Sequence, residues 1–122
     1  MFWDTKARVE RIKSLVLSNL NLTEFEDVND FKIEELTSVE LLSLSKNKII
    51  HLQPISVLDT LVTLNINYNK VYDLSPLTSL TKLSELYASN NEIINIDVGN
   101  LRMKKKTLYL QALLPAPWKV LG

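Results

Sequence analysis

A 22-residue period is the feature that most limits what this chain can become. Three segments superimpose residue on residue: Val39-Glu40-Leu41-Leu42-Ser43-Leu44-Ser45-Lys46-Asn47-Lys48-Ile49, Leu61-Val62-Thr63-Leu64-Asn65-Ile66-Asn67-Tyr68-Asn69-Lys70-Val71 and Leu83-Ser84-Glu85-Leu86-Tyr87-Ala88-Ser89-Asn90-Asn91-Glu92-Ile93. Asn47, Asn69 and Asn91 recur at steps of 22 residues inside the shared template LxxLxLxxNxI. The columns run on through Leu52, Leu74 and Ile96, through Ile55 and Leu77, and through Leu58 and Leu80. Weaker copies flank the three. One opens at Ile12, 27 residues before Val39, with its five extra residues placed within 28–38; the other starts at Lys105 and keeps Leu108 and Leu110. Both outer copies carry Leu, at Leu20 and Leu113, where the inner three carry Asn. A unit this short cannot bury its own leucines. Stacked neighbours bury one continuous core, and atypical end copies are expected of such an array.

Within each copy the LxL motif has a period of two, so Leu42 and Leu44 face inward while Ser43 faces outward. The same holds for Leu64 and Ile66 around Asn65. One short strand per copy, paired in parallel, is predicted. Truncation of Leu64 should therefore be costly and truncation of Ser43 nearly silent. Pro54 and Pro76 each stand two residues after a column leucine, Leu52 and Leu74, where the first turn of a helix tolerates proline. Short helical or 3₁₀ segments are predicted at 54–59 and 76–81. The segment 98–103 puts Gly99 and Arg102 in apolar columns and is expected to be irregular.

These copies resemble the leucine-rich repeats. Their period is similar to that of the subfamily typified by a regulatory subunit of protein phosphatase 1, found in cytoplasmic, nuclear, axonemal and centrosomal proteins. Bacterial internalins share a similar period, but the charged stretch from Met1 to Lys13 lacks the apolar run of a secretion signal. The resemblance, over residues 12–113, implies an α/β right-handed solenoid of about five repeats, with a parallel concave sheet and short helical or 3₁₀ convex segments. A single domain spans 1–122, with an N-terminal cap at 1–11, repeats at 12–113 and an atypical tail at 114–122. The resemblance also implies a buried amide ladder of Asn47, Asn69 and Asn91, each bonding backbone of its own turn and of the next repeat. Phe2, Trp3 and Val9 either cover the open edge of the first repeat or belong to a frayed terminus. In the tail, Pro115 and Pro117 argue against a helix; Trp118, Val120 and Leu121 either fold back or leave an apolar edge.

The residue inventory excludes most chemistry. The 122 residues hold 14 Lys plus Arg against 14 Asp plus Glu, which removes the basic excess of a nucleic-acid binder. Without cysteine there is no disulfide, thiol nucleophile or thiolate metal site. A lone His51 excludes a His-pair zinc motif and leaves little for a triad. No glycine-rich phosphate loop is present, and no apolar run of about 18 residues suggests a membrane span. The chain is expected to be an intracellular, cytoplasmic non-enzyme without cofactor or metal; the resemblance adds cytoskeleton or cilium. The acidic stretch Glu24–Glu35 and the run Lys104-Lys105-Lys106 read as solvated surface. Asn21-Leu22-Thr23 fits a glycosylation sequon, which matters only in a secreted protein.

Outward strand positions define the candidate binding face. The third column reads Ser14, Leu41, Thr63, Glu85, Thr107, and the fifth Val16, Ser43, Asn65, Tyr87, Tyr109. The seventh reads Ser18, Ser45, Asn67, Ser89, Gln111, and the eighth Asn19, Lys46, Tyr68, Asn90, Ala112. Tyrosine joins rigid apolar area to a hydrogen-bonding tip and is common at hot spots. Asn65, Asn67, Tyr68, Glu85, Tyr87, Asn90 and Tyr109 are the partner-binding candidates. The expected function is a non-catalytic module holding a protein partner on its concave face, with the resemblance suggesting a cytoskeletal, ciliary or phosphatase-linked assembly. The alternative is a rigid spacer, or a portion of a longer leucine-rich-repeat protein.

Overall fold

The inward leucine of each LxL motif fixes the register of the whole array. Strands β1 (Ser14–Val16), β2 (Leu41–Ser43), β3 (Thr63–Asn65), β4 (Glu85–Tyr87) and β5 (Thr107–Tyr109) form one parallel sheet in chain order. Leu15, Leu42, Leu64, Leu86 and Leu108 are aligned across it. The computed structural model describes residues 8–27, 31–94 and the backbone of 107–109. The readings of Phe2 and Trp3, of the connector 98–103, of Leu113 and of the tail 114–122 lie outside the described residues.

Each strand is three residues long, yet the pairing runs further. Leu44 N donates to Asn65 O at 2.7 Å and Lys46 N to Asn67 O at 2.9 Å; one coil on, Ile66 N and Tyr68 N repeat these bonds to Tyr87 O and Ser89 O. The chain then reverses. Asn19, Lys46, Tyr68 and Asn90, all in the eighth column, have φ between 57° and 59°. This left-handed turn brings the ninth residue beneath the sheet. Asparagine tolerates that conformation and most other residues do not.

Asn47, Asn69 and Asn91 are buried at this ninth position. Asn69 Oδ1 accepts from Ile49 N at 3.0 Å, and its Nδ2 donates to Leu44 O at 2.9 Å and Ile66 O at 3.0 Å. Asn91 makes the same bonds one coil on, accepting from Val71 N and donating to Ile66 O. Asn47 Oδ1 accepts twice, from Leu20 N and Leu22 N. The inter-coil bonds reach the preceding coil, whereas the sequence reading directed them to the next one. The reason is local: Leu44 N and Lys46 N already engage the following coil. Among the described residues no buried side-chain nitrogen or oxygen lacks a partner.

The return segments are 3₁₀ turns at Gln53–Val57 and Ser75–Ser79, starting one residue earlier and ending two earlier than predicted. Leu52, Ile55, Leu58 and Leu61 recur at steps of three, as do Leu74, Leu77, Leu80 and Leu83, and all eight are buried. In a 3₁₀ turn residues i and i+3 eclipse, so a strict step of three sends every one of them inward. Leu58 and Leu80 leave the turn to enter the core, which sets its end. The first coil holds two such turns, Phe25–Asp27 and Ile33–Glu35. Phe25 is buried 27 residues before Leu52, and Ile33 is buried 22 residues before Ile55. The five extra residues therefore fall between Phe25 and Ile33, a window that overlaps the expected 28–38. Val9 is buried in the same core.

Candidate functional site

The outer face of the sheet is two rows deep. Strands lie about 4.8 Å apart, so Ser14, Leu41, Thr63, Glu85 and Thr107 stand side by side, as do Val16, Ser43, Asn65, Tyr87 and Tyr109. The side chain of Tyr109 lies outside the described residues; its backbone is paired opposite Tyr87.

Six of the seven candidates come together between the third and fourth coils. Tyr87 is half-buried and its hydroxyl donates to Glu85 Oε2 at 2.8 Å, which ties the two outward side chains of β4 into one unit. Asn65 Oδ1 accepts from Asn67 N at 2.9 Å, and Asn67 Oδ1 accepts from Ser89 N of the next coil at 2.7 Å. Both amide oxygens are thus engaged inside the fold, leaving the Nδ2 groups as the donors this face can offer. Tyr68 and Asn90 follow on the turn row, with Tyr68 54% exposed.

The N-terminal half of the face has a different character. Val16 and Leu41 are exposed apolar side chains. Ser18 Oγ lies 3.1 Å from Ser43 Oγ and 3.0 Å from Ser45 Oγ, closing a small hydroxyl cluster. Sequence reading placed Val16 and Leu41 outward but drew no functional conclusion from them. A third surface went unread. Ile50, Tyr72 and Ile94, again 22 residues apart, are exposed on the returning side, where the exposed His51 ring meets Tyr72 edge-on at 6.1 Å. Their spacing was legible, but the template left that position unassigned.

Tyr68 and Lys46 both carry the energetic cost of this turn. A left-handed backbone costs a non-glycine residue about 1–2 kcal/mol, with asparagine the usual exception. Asn19 and Asn90 occupy the equivalent turns. Tyr68→Asn is therefore expected to raise unfolding free energy by up to about 1 kcal/mol, read from a urea melt. A loss of stability would show instead that the ring stabilises the fold.

No family model matches the chain, and no curated protein sequence matches it. Solved structures do. An internalin (inlF) of Listeria monocytogenes aligns over 86% of this chain and 36% of its own, at TM-score 0.72 and 28% identity. Internalin C2 of the same species aligns over 87% and 55%, at 0.64 and 27%. A leucine-rich-repeat protein of Leptospira interrogans aligns over 87% and 28%, at 0.70 and 27%. The chain thus spans between 28% and 55% of the length of these three proteins. None of the three is a phosphatase regulatory subunit, and two are internalins, which the sequence reading had set aside. Parallel three-residue strands, 3₁₀ returns and these neighbours agree: the fold of this chain is that of the leucine-rich-repeat solenoids.

Proposed function

We propose that the chain is a non-catalytic protein-interaction module that holds a protein partner on the concave, outer face of its sheet. The observation that carries this reading is Tyr68: an exposed aromatic in a backbone conformation that asparagine would occupy at lower cost. Strain kept at an exposed position points to a use outside the fold. Tyr87, oriented by Glu85, stands beside it, and the Nδ2 groups of Asn65 and Asn67 add donors. The leucine-rich-repeat neighbours support a protein partner in general. A cytoplasmic location rests on the composition, and a cytoskeletal, ciliary or phosphatase-linked assembly on the resemblance in repeat length.

The test compares wild type with Tyr68→Asn combined with Tyr87→Ala, as immobilised baits with partner recovery quantified by mass spectrometry. Loss of a specific partner from a double variant that melts like wild type supports the reading. Full recovery by that variant refutes it. The second reading, a rigid spacer within a longer repeat array, is favoured by the greater length of the structural neighbours. It predicts that neither bait recovers a specific partner.

A further inference from the structure

Across the third, fifth and seventh columns of the sheet, Glu85 is the only charged residue in the sequence. The fold does not require it. Leu41 and Thr63 occupy the same strand position one and two coils earlier, and their coils close with neutral side chains. Glu85 is half-buried, and withdrawing a carboxylate from water is costly unless it is paired and hydrogen-bonded. Its Oε2 accepts from the Tyr87 hydroxyl at 2.8 Å. That is one bond for a group able to accept about four, and Glu85 enters no ion pair among the described residues.

The surroundings of Glu85 define what would complete it. Asn65 is aligned with Tyr87 across the sheet. The amide oxygens of Asn65 and Asn67 are engaged inside the fold, so each has its Nδ2 to offer. A partner therefore meets one anion, one aromatic ring and two amide donors. A cation answers the anion, and a guanidinium answers more of the set than an ammonium does. Its planar fork bonds a carboxylate through parallel N–H groups, and its face stacks on an aromatic ring. Backbone carbonyls on either side of that arginine suit the amide donors. Leu41 is exposed two strand spacings from Glu85, about 10 Å along the same row. Val16 is exposed on the strand beyond it.

We propose that Glu85 and Tyr87 form an arginine subsite within the partner-binding face, and that the partner sets an apolar side chain against Leu41 and Val16 about 10 Å away. This rests on the reading of the sheet face given above and adds the residue that decides which partner is accepted. A partner without the cation leaves Glu85 covered and unpaired, so the subsite discriminates by rejection as well as by attraction.

Random peptides displayed on phage, selected on the immobilised full chain and depleted on the Tyr68→Asn, Tyr87→Ala double variant, test it. The enriched peptides are expected to share an arginine with an apolar residue near it. Glu85→Gln keeps an acceptor for the Tyr87 hydroxyl and should melt like wild type, yet bind an enriched synthetic peptide about tenfold more weakly. Replacing the peptide's arginine by glutamine should weaken binding to wild type by the same factor and binding to the Glu85→Gln variant no further. Enriched peptides without a shared arginine, or an arginine whose loss weakens both proteins equally, would overturn the subsite and leave the partner-binding face standing. Failure to enrich any peptide specific to the wild-type face would overturn both.

Discussion

Truncating Leu64 to alanine is expected to lower the unfolding free energy by about 2–5 kcal/mol. Leu64 is 0% exposed at the middle of the sheet, aligned between Leu42 and Leu86. Stacked coils above and below hold its surroundings, so the vacated space cannot collapse easily. A chain of this size has a total stability of about 5–15 kcal/mol, so this one change removes a large share of it. The matched control is Ser43→Ala on the opposite face of the neighbouring strand. Ser43 is half-buried and near Ser18 Oγ, which keeps its contact with Ser45. Its loss should cost about 1 kcal/mol or less, the net worth of one hydrogen bond. Urea melts with unchanged slopes read both values. Equal costs would contradict the assignment of inward and outward positions.

Asn47→Ala should be the most damaging polar change, at about 3 kcal/mol or more, because it orphans two backbone donors at once. Leu20 N and Leu22 N both rely on Asn47 Oδ1, and Leu17 O and Leu44 O both accept from its Nδ2. Leu44 O keeps the amide of Asn69. The loss therefore falls mainly on the bonds that fasten the first coil. Asn69→Ala is expected to cost less, about 1–3 kcal/mol, since Ile49 N alone loses its acceptor. Leu44 O and Ile66 O would still be bonded by Asn47 and Asn91. Thermal and urea melts of the two variants check the order; an Asn69 variant less stable than the Asn47 variant would contradict it.

Much of this architecture was legible in the sequence because it repeats. A column of Leu42, Leu64 and Leu86 is a strong statement about burial, since a shift of one residue would expose all three. What the columns hid has physical reasons. Phe25 takes the place of a leucine, so its match to Leu52 was missed and the insertion could be bounded no more closely than 28–38. The step of three along Leu52, Ile55, Leu58 and Leu61 suits a 3₁₀ turn, but proline placement drew the boundary to Pro54. The left-handed turn was masked because Lys46 and Tyr68 sit where Asn19 and Asn90 would have revealed it. A column also has no direction, so it could not tell whether Asn69 bonds the coil before it or the one after. Around the candidate face, the register of Asn65 and Tyr87 was readable. The engagement of both asparagine oxygens was not, because it depends on neighbouring backbone. The acidic stretch reads as solvated surface, and Glu24, Glu26 and Glu34 are exposed.

The central claim is that each buried asparagine joins its own turn to the coil before it. Amide hydrogen exchange at Leu22, Ile49 and Val71, in wild type and in Asn69→Ala, tests it most directly, since these donors bond Asn47, Asn69 and Asn91. The account predicts slow exchange at all three in wild type. In the variant, Ile49 should accelerate beyond the global loss of stability, while Leu22 and Val71 follow that loss alone. Free-chain exchange at these amides in wild type, or an Ile49 that the substitution leaves no faster than its two counterparts, would contradict it.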